Sequence, residues 1–377
     1  MEEINEKMHS KLLDFNETKR KQWMMERKPY SVLFELTSNC NMNCIHCYLQ
    51  NNHEKEFLNY EQIVEIIDLL YDKGILFITF TGGEILTRKD FIDIYKYAKL
   101  KGFLVELFSN GYLFNDEIID VLKEYPPLLV DISIYGADEE TYQHVTGIKG
   151  AYDKVINNCR KLKEAGIRVS LKSPIISPTV NQIEKMHDIA DELDIPFVHT
   201  FDICPTIDKD ECPRDLQVPA DVALKYEFGN YYEQLDKYGR VELEFDEKRK
   251  KEITELMNND CVYACNVALN SFVIDYKGNI CPCMKLRHKG QKLSRNTFDD
   301  VWESFGIYAK KKATENYVCK GCESRYYCDV CPAEMDFLFN DEEIRPSKVC
   351  RIARIRKAFY NGEMTFEEAL KKASFNE

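Results

Sequence analysis

No stretch of this chain approaches the roughly 18 consecutive apolar residues of a membrane span. The opening MEEINEKMHSKLLDFNETKRKQ is polar and mixed in charge, so it also lacks the apolar centre of a secretion signal. An excess of positive charge is missing too. The 51 Lys and Arg against 64 Asp and Glu leave a net charge of −13, the wrong sign for general nucleic-acid binding. The basic runs Lys248-Arg249-Lys250-Lys251 and Lys310-Lys311-Lys312 read as solvated helix faces. Low-complexity tracts and internal repeats beyond simple strand–helix alternation are absent. What these absences leave is a cytoplasmic globular protein with neither membrane nor nucleic acid as partner. Its length suits one large domain and a smaller one.

Cysteine, by contrast, is abundant, with fifteen in the chain. In a reducing compartment, thiols in clustered spacings point to metal or catalysis rather than disulfides. Eleven fall within 40–47, 261–283 and 319–350 once one of Cys281 and Cys283 is set aside. Cys159, Cys204, Cys212 and the spare member of that pair read as buried structural thiols.

Apolar periodicity predicts a strand over 31–36, a helix over 60–72 and a continuous apolar strand over 75–80. The alternation continues with helix 90–100, strand 103–108, helix 116–123, strand 128–134, helix 152–164, strand 168–172, helix 182–193 and strand 196–203. Such alternation implies a parallel sheet with right-handed crossovers. Periodicity alone leaves a partial barrel and an open sheet equally possible, and in both the ligands gather at the C-terminal strand ends. Residues 1–30 read as a helical lead-in. The segment 205–260 is a connector with a helix beginning near Pro219. Beyond it, 269–274 and 279–283 flank Asp275-Tyr276-Lys277-Gly278 as a hairpin. A helix over 297–311 and a helical tail over 351–360 and 365–372 follow.

The first strand delivers Thr37-Ser38-Asn39-Cys40-Asn41-Met42-Asn43-Cys44-Ile45-His46-Cys47-Tyr48. Three thiols on one short loop can bind three irons of a cubane, whereas a closed [4Fe–4S] site needs four thiolates. No fourth cysteine lies nearby, so one iron is left for a ligand that is not protein. A zinc site, the alternative, favours paired Cys-x2-Cys hooks and four ligands. With His46 in the aromatic place before the last thiol, the loop resembles the Cys-x3-Cys-x2-Cys signature of the radical SAM enzymes. That resemblance implies an α/β fold, a partial (β/α)6 TIM-like barrel over 31–204. It also implies that the open iron, held by Cys40, Cys44 and Cys47, takes the amino and carboxylate groups of S-adenosylmethionine (SAM). Gly82-Gly83-Glu84, one strand later, resembles the family's motif for the SAM amino group, with Ile85 where proline is usual. By the same resemblance Asn110 and Ser133 contact the ribose or carboxylate, and Lys172 and Ser173 meet the carboxylate. As a sequence feature alone, Lys172 reads equally well as a solvated strand end.

The second array, from Cys261 to Cys350, resembles the SPASM extension of these enzymes, a small cysteine-rich domain with a hairpin and helices that binds two auxiliary [4Fe–4S] clusters. Carried over by position, Cys261, Cys265, Cys283 and Cys331 hold the first, and Cys319, Cys322, Cys328 and Cys350 the second. The spacing before Cys331 is two residues where three is usual, and Cys281 competes with Cys283. Seen alone, Cys319–Cys331 also suits a zinc ribbon. The tail 351–377 lies beyond this domain. The resemblance implies reductive cleavage of SAM to a 5′-deoxyadenosyl radical that takes a hydrogen atom from substrate, with flavodoxin or ferredoxin as electron donor. A peptide or protein substrate, oxidised during ribosomal peptide maturation, is the leading expectation. Met284 stands where sulfatase-maturing relatives carry aspartate, which disfavours formylglycine formation. The lead-in is too short for a leader-binding domain, so the leader of a peptide substrate is expected to be held by a separate small protein or by the barrel itself. Tetrapyrrole side-chain processing and a non-catalytic iron–sulfur carrier are the other two readings.

Overall fold

The structure, a computed structural model, describes residues 19–49, 58–209, 212–238 and 260–374. The lead-in before residue 19, Asp210 and Glu211 of the connector, and the Lys248–Lys251 run lie outside these residues. Six parallel strands run in sequence order: β1 (Ser31–Thr37), β2 (Phe77–Gly82), β3 (Leu104–Ser109), β4 (Leu129–Ser133), β5 (Val169–Pro174) and β6 (Phe197–Thr200). The sheet reads β6-β5-β4-β3-β2-β1-β7-β8-β9, with no reversal of order among the first six strands. A doubly wound sheet reverses at a switch point. This one winds in a single direction, which is the partial-barrel alternative.

Strand alternation divides the sheet chemically. Val32, Phe34, Leu36, Ile78, Phe80, Val105, Leu107, Val130, Ile132 and Leu171 are buried on one face. The residues between them make the other face, with Glu35, Thr79, Glu106, Asp131 and Lys172. The apolar face meets the amphipathic helices α1 (Tyr60–Asp72), α2 (Phe91–Leu100), α3 (Asp116–Glu124), α4 (Glu139–Thr146), α5 (Ala151–Glu164) and α6 (Ile183–Leu193). Their starts are set by side-chain caps. Asn59 and Gln62 form a reciprocal capping box on α1, and Asn115 and Asp138 cap α3 and α4. Helix α4 is absent from the apolar-periodicity reading because its sequence, EETYQHVT, is mostly polar, yet Tyr142 and Val145 are fully buried.

The cysteine-rich region is not hung on a tether. Strand β7 (Ser271–Ile274) pairs in parallel with β1, and the hairpin β8 (Asn279–Cys281) and β9 (Gln291–Lys292) continue the same sheet. Asp275 shapes the intervening turn by accepting from Lys277 N and Asn279 N, and Gly278 supplies the positive φ there. The expected helix over 297–311 is broken at Phe305 into α8 (Phe298–Ser304) and a short turn, Gly306–Lys310. Two further helices are α7 (Ala220–Tyr238) after the barrel and α9 (Pro332–Phe339) directly after Cys331. The tail helices α10 (Ser347–Tyr360) and α11 (Phe366–Ser374) pack on α7 through Leu224, Phe228, Ile355, Phe359 and Ala369. Among the described residues no helix is long and apolar enough to cross a membrane.

Candidate active site

The loop that carries Cys40, Cys44 and Cys47 leaves β1 at the C-terminal edge of the sheet and is held at both sides. On one side it is stitched to the turn after β2. Gly83 N donates to Thr37 O at 2.7 Å and Glu84 N to Asn39 O at 2.8 Å. Side chains are excluded there. A Cβ on Gly82 or Gly83 would lie 2.2 Å from the carbonyl oxygen of Thr37 or Asn39, and Gly82 also holds a φ of 142°. On the other side Asn43 N and Ile45 N donate to the carbonyls of Thr146 and Val145 at the end of α4. Helix α4, unforeseen from periodicity, is thus one of the loop's anchors.

Glu84 has no exposed surface, and its carboxylate is spent on the fold. It accepts from Ser109 Oγ at 2.9 and 3.0 Å, from Asn110 N at 2.7 Å and from Leu86 N at 3.0 Å. Burial pushes its pKa up to about 6 while these donors pull against it. These bonds make Glu84 a lock between the ends of β2 and β3, beside the role of ammonium acceptor expected of it. Backbone carbonyls around Gly82 and Gly83 are what the turn offers a ligand.

Asn110 is buried beside the thiols. Its Nδ2 donates to Asn41 Oδ1 at 2.9 Å and lies 3.6 Å from Cys40 Sγ, which also receives Met42 N at 3.4 Å. Such donors stabilise a thiolate. Burial has the opposite effect, pushing Cys40 up to about 11 and Cys44 higher still, with mutual repulsion of the three thiols adding to it. A bound cation would relieve both penalties, because a metal-coordinated thiol is deprotonated. His46 is buried against Tyr135, with ring centroids 5.2 Å apart, and burial lowers its pKa to about 4. His46 Nδ1 and Asn41 Nδ2 are buried without a hydrogen-bond partner. Three thiols, N–H donors aimed at sulfur, a backbone cradle closed to any Cβ and two unsatisfied polar atoms fit a three-thiolate cluster with a polar ligand beside it.

Ser133 and Lys172 are register partners on the polar face of the sheet. Lys172 Nζ lies over the Phe108 ring and 3.5 Å from Asp131. Burial lowers its pKa to about 8 against the pull of Asp131 and Glu106. Ser173 is brought elsewhere. It follows Lys172 in the strand and so belongs to the opposite face, where it is buried with its hydroxyl 3.5 Å from Pro174 O.

The second array divides as its spacing suggests. Cys319, Cys322, Cys328 and Cys350 line one pocket between the 318–330 loops and α10. Cys265, Cys283 and Cys331 lie within electrostatic reach of one another. Cys281 lies within electrostatic reach of Cys283 but its thiol is turned to backbone. It is fully buried in β8, its thiol facing Asn279 O and Arg287 O, and a Cβ on Gly290 would lie 2.7 Å from its sulfur. Cys283 is therefore the member of the pair that joins the auxiliary group. Cys261 sits on a bridge with Lys312, its carbonyl held by Arg325. Cys204, set aside from the sequence as structural, stands beside Cys331 and Lys285, and burial pushes it up to about 11. Its only sequence signal is a position just past the C-terminal end of β6. Among the described residues no three His, Cys, Asp or Glu side chains converge tightly enough for a single metal ion.

The profile of the Radical SAM superfamily matches residues 34–193, the stretch from β1 to the end of α6. This chain contains a radical SAM domain. The cysteine-rich region after it fits the SPASM extension. The AdoMet-dependent heme synthase of Methanosarcina barkeri is 26% identical over 336 residues, covering 80% of this chain and 93% of that protein. The antilisterial bacteriocin subtilosin biosynthesis protein AlbA of Bacillus subtilis is 28% identical over 280 residues, 73% of this chain and 59% of AlbA. In fold, the chain is similar to Streptococcus suis SuiB solved with S-adenosylmethionine, with a TM-score of 0.65 and 16% identity over 86% of this chain and 77% of SuiB. The SuiB structure bound to precursor peptide SuiA gives a TM-score of 0.64 at 16% identity, over 89% and 80%.

Proposed function

We propose that the protein is a radical SAM/SPASM enzyme that oxidatively modifies a peptide or protein, forming a thioether or carbon–carbon crosslink or oxidising a side chain, in ribosomal peptide maturation. The observation that carries this reading is the presence of two separate auxiliary thiol groups, the Cys319–Cys322–Cys328–Cys350 pocket and the Cys265–Cys283–Cys331 group, behind the barrel site. Oxidation of a substrate radical requires a resident electron acceptor, and two closed [4Fe–4S] sites call for eight thiolates. Cys261 completes the first set on this reading.

Bound at Cys40, Cys44 and Cys47 with SAM beside it, a [4Fe–4S] cluster supplies one-electron cleavage of the sulfonium and a carbon-centred radical. The chain's own part is placement. The Gly82–Gly83 backbone and Asn110 stand beside the loop, Ser133 and Lys172 pair at the ends of β4 and β5, and Glu84 ties the ends of β2 and β3 together. Lys172 presents an ammonium to a carboxylate. The buried apolar layer beneath keeps water from the reacting centre. Flavodoxin or ferredoxin would deliver the electron, and a separate protein would hold the leader of the substrate.

AlbA is named for bacteriocin biosynthesis and SuiB was solved with its precursor peptide, which supports a peptide substrate. A second reading, tetrapyrrole side-chain processing, is favoured by the heme synthase whose length this chain spans at 93%. Anaerobic reaction with SAM, dithionite and either a genomically adjacent precursor peptide or a propionate-bearing iron porphyrin separates the two. Loss of hydrogens from the peptide by mass spectrometry supports the first reading. Loss of carboxyl groups from the porphyrin replaces it with the second.

A further inference from the structure

The turn Met284–Lys289, directly after Cys283, carries the basic side chains Lys285, Arg287, His288 and Lys289. Arg287 reaches Glu35 in the barrel, and His288 and Lys289 share Asp336. Lys285 differs in holding two carboxylates, Glu334 at 2.7 Å and Asp202 at 3.1 Å. Those acids come from opposite directions. Glu334 lies in the first turn of α9, the helix that Cys331 opens, and its N–H donates to the Cys331 carbonyl at 3.1 Å. Asp202 lies two residues past the end of β6, on a loop whose Ile207 N donates to Tyr48 O at the end of the cluster loop. The Lys285 ammonium therefore stands where the C-terminal end of β6 meets the Cys283 and Cys331 ends of the auxiliary region, and its charge acts on the Cys331 thiol. Its side chain is 20% exposed and that of Glu334 11%, whereas Asp202 keeps 63% of its surface in solvent.

Reduction of an iron–sulfur cluster adds one negative charge, and fixed charges nearby move its potential most where solvent screens them least. Two carboxylates beside the Cys331 end oppose that added charge. One ammonium held between them offsets part of the opposition. We propose that Lys285 sets the reduction potential of the auxiliary cluster held by Cys265, Cys283 and Cys331, keeping it high enough to accept the electron that a substrate radical gives up. The inference rests on reading those thiols as a cluster site, as the proposed function does. In the step concerned, the substrate radical loses one electron and one proton as its new bond forms. The cluster gains the electron, and the proton passes to solvent. Lys285 touches neither partner in that exchange and acts only through the charge balance around Cys331.

The test is an EPR-monitored redox titration of the anaerobically reconstituted full chain, with neither SAM nor substrate present. The signal missing from Cys283→Ser marks the cluster concerned, and the one missing from Cys328→Ser marks the other auxiliary cluster as an internal reference. Lys285→Met should lower the first midpoint by roughly 59 mV, a tenfold fall in the reduced-to-oxidised ratio at a fixed potential. Asp202→Asn should raise it, and Lys285→Arg should leave it near the wild-type value. The reference midpoint should stay put in all three. Lys285→Met and Asp202→Asn break the same ion pair, so a purely structural role for the bridge would not give shifts of opposite sign. An unmoved midpoint in Lys285→Met, shifts of the same sign in the two variants, or an equal shift of the reference signal overturns the proposal. If Lys285→Met loses iron, Asp202→Asn and Lys285→Arg decide it by the same signs. Iron content separates this failure from that of the cluster reading. A Cys283→Ser variant that keeps all its iron removes the cluster and the proposal together, whereas iron loss there with unmoved midpoints in the charge variants removes only the role of Lys285.

Discussion

Tyr48 donates its hydroxyl to Glu35 across 2.8 Å, tying the residue after the last thiol of the cluster loop to a fully buried carboxylate on β1. Arg287, from the connection between β8 and β9, closes on the same carboxylate with both Nη atoms, at 2.9 Å through Nη1, and lies over the Tyr48 ring. The first strand, the end of the cluster loop and a turn 252 residues from that strand therefore meet at one charge. Removing Arg287 leaves that charge buried and unpaired, so Arg287→Met should cost about 3–5 kcal/mol. Tyr48→Phe, which deletes one hydrogen bond to a carboxylate, should cost about 1.5–3 kcal/mol. Glu35→Gln combined with Arg287→Met should recover part of the larger loss. Urea unfolding of the three variants checks the order.

Gly83→Ala places a methyl group 2.2 Å from Asn39 O, where backbone rather than a movable side chain is in the way. The loop and the β2 turn must part. The variant should fold, since the collision is at the sheet edge, but lose SAM binding by at least about tenfold. Equilibrium dialysis with labelled SAM reads this directly, with the charge-transfer and iron content of the cluster as a second measure.

Lys172 gives a pH signature. Burial lowers its folded pKa to about 8 from an ordinary 10.5, so between those values the unfolded chain binds more protons than the folded one. Stability should therefore rise with pH across roughly pH 8 to 10.5, by up to about 3 kcal/mol. The Lys172→Met variant should lack that slope. Chemical denaturation of the protein at half-unit pH steps distinguishes the two curves.

Cys281 and Cys283 should part company on substitution. Cys283→Ser should lower iron by one cluster's worth in anaerobically reconstituted protein, whereas Cys281→Ser should keep its iron and lose only packing. Cys328→Ser should also lose one cluster's iron while still forming 5′-deoxyadenosine from SAM, uncoupled from product. Iron assay and chromatography of the nucleoside report both outcomes. Equal iron in the Cys281 and Cys283 variants would contradict the assignment.

The strand–helix alternation was legible because parallel strands buried on both faces, such as Phe77–Phe80, and helices with one apolar stripe leave periodic marks. Helices Tyr60–Asp72 and Ile183–Leu193 fall within a residue of their expected bounds. Helix Glu139–Thr146 left no such mark, because it buries only Tyr142, Val145 and Thr146 and owes its existence to the Asp138 cap and to its contact with the cluster loop. The thiol groups were readable from spacing. The choice between Cys281 and Cys283 was not, since it depends on what each thiol packs against in the fold. Glu84 shows the same limit. Its place beside two glycines marks the turn, but only the neighbouring Ser109 O–H and Asn110 N–H reveal that the carboxylate also ties β2 to β3. Cys204 and Lys285 come together across 81 residues, a proximity no local pattern encodes.

Because β7 takes the place beside β1, the first strand is an interior member of the sheet, bonded along both edges. Barrel and cysteine-rich region are then parts of one hydrogen-bonded sheet. If the auxiliary thiols hold clusters, a mutation in Ser271–Ile274 would alter their spacing from the barrel and be felt at a centre it never touches.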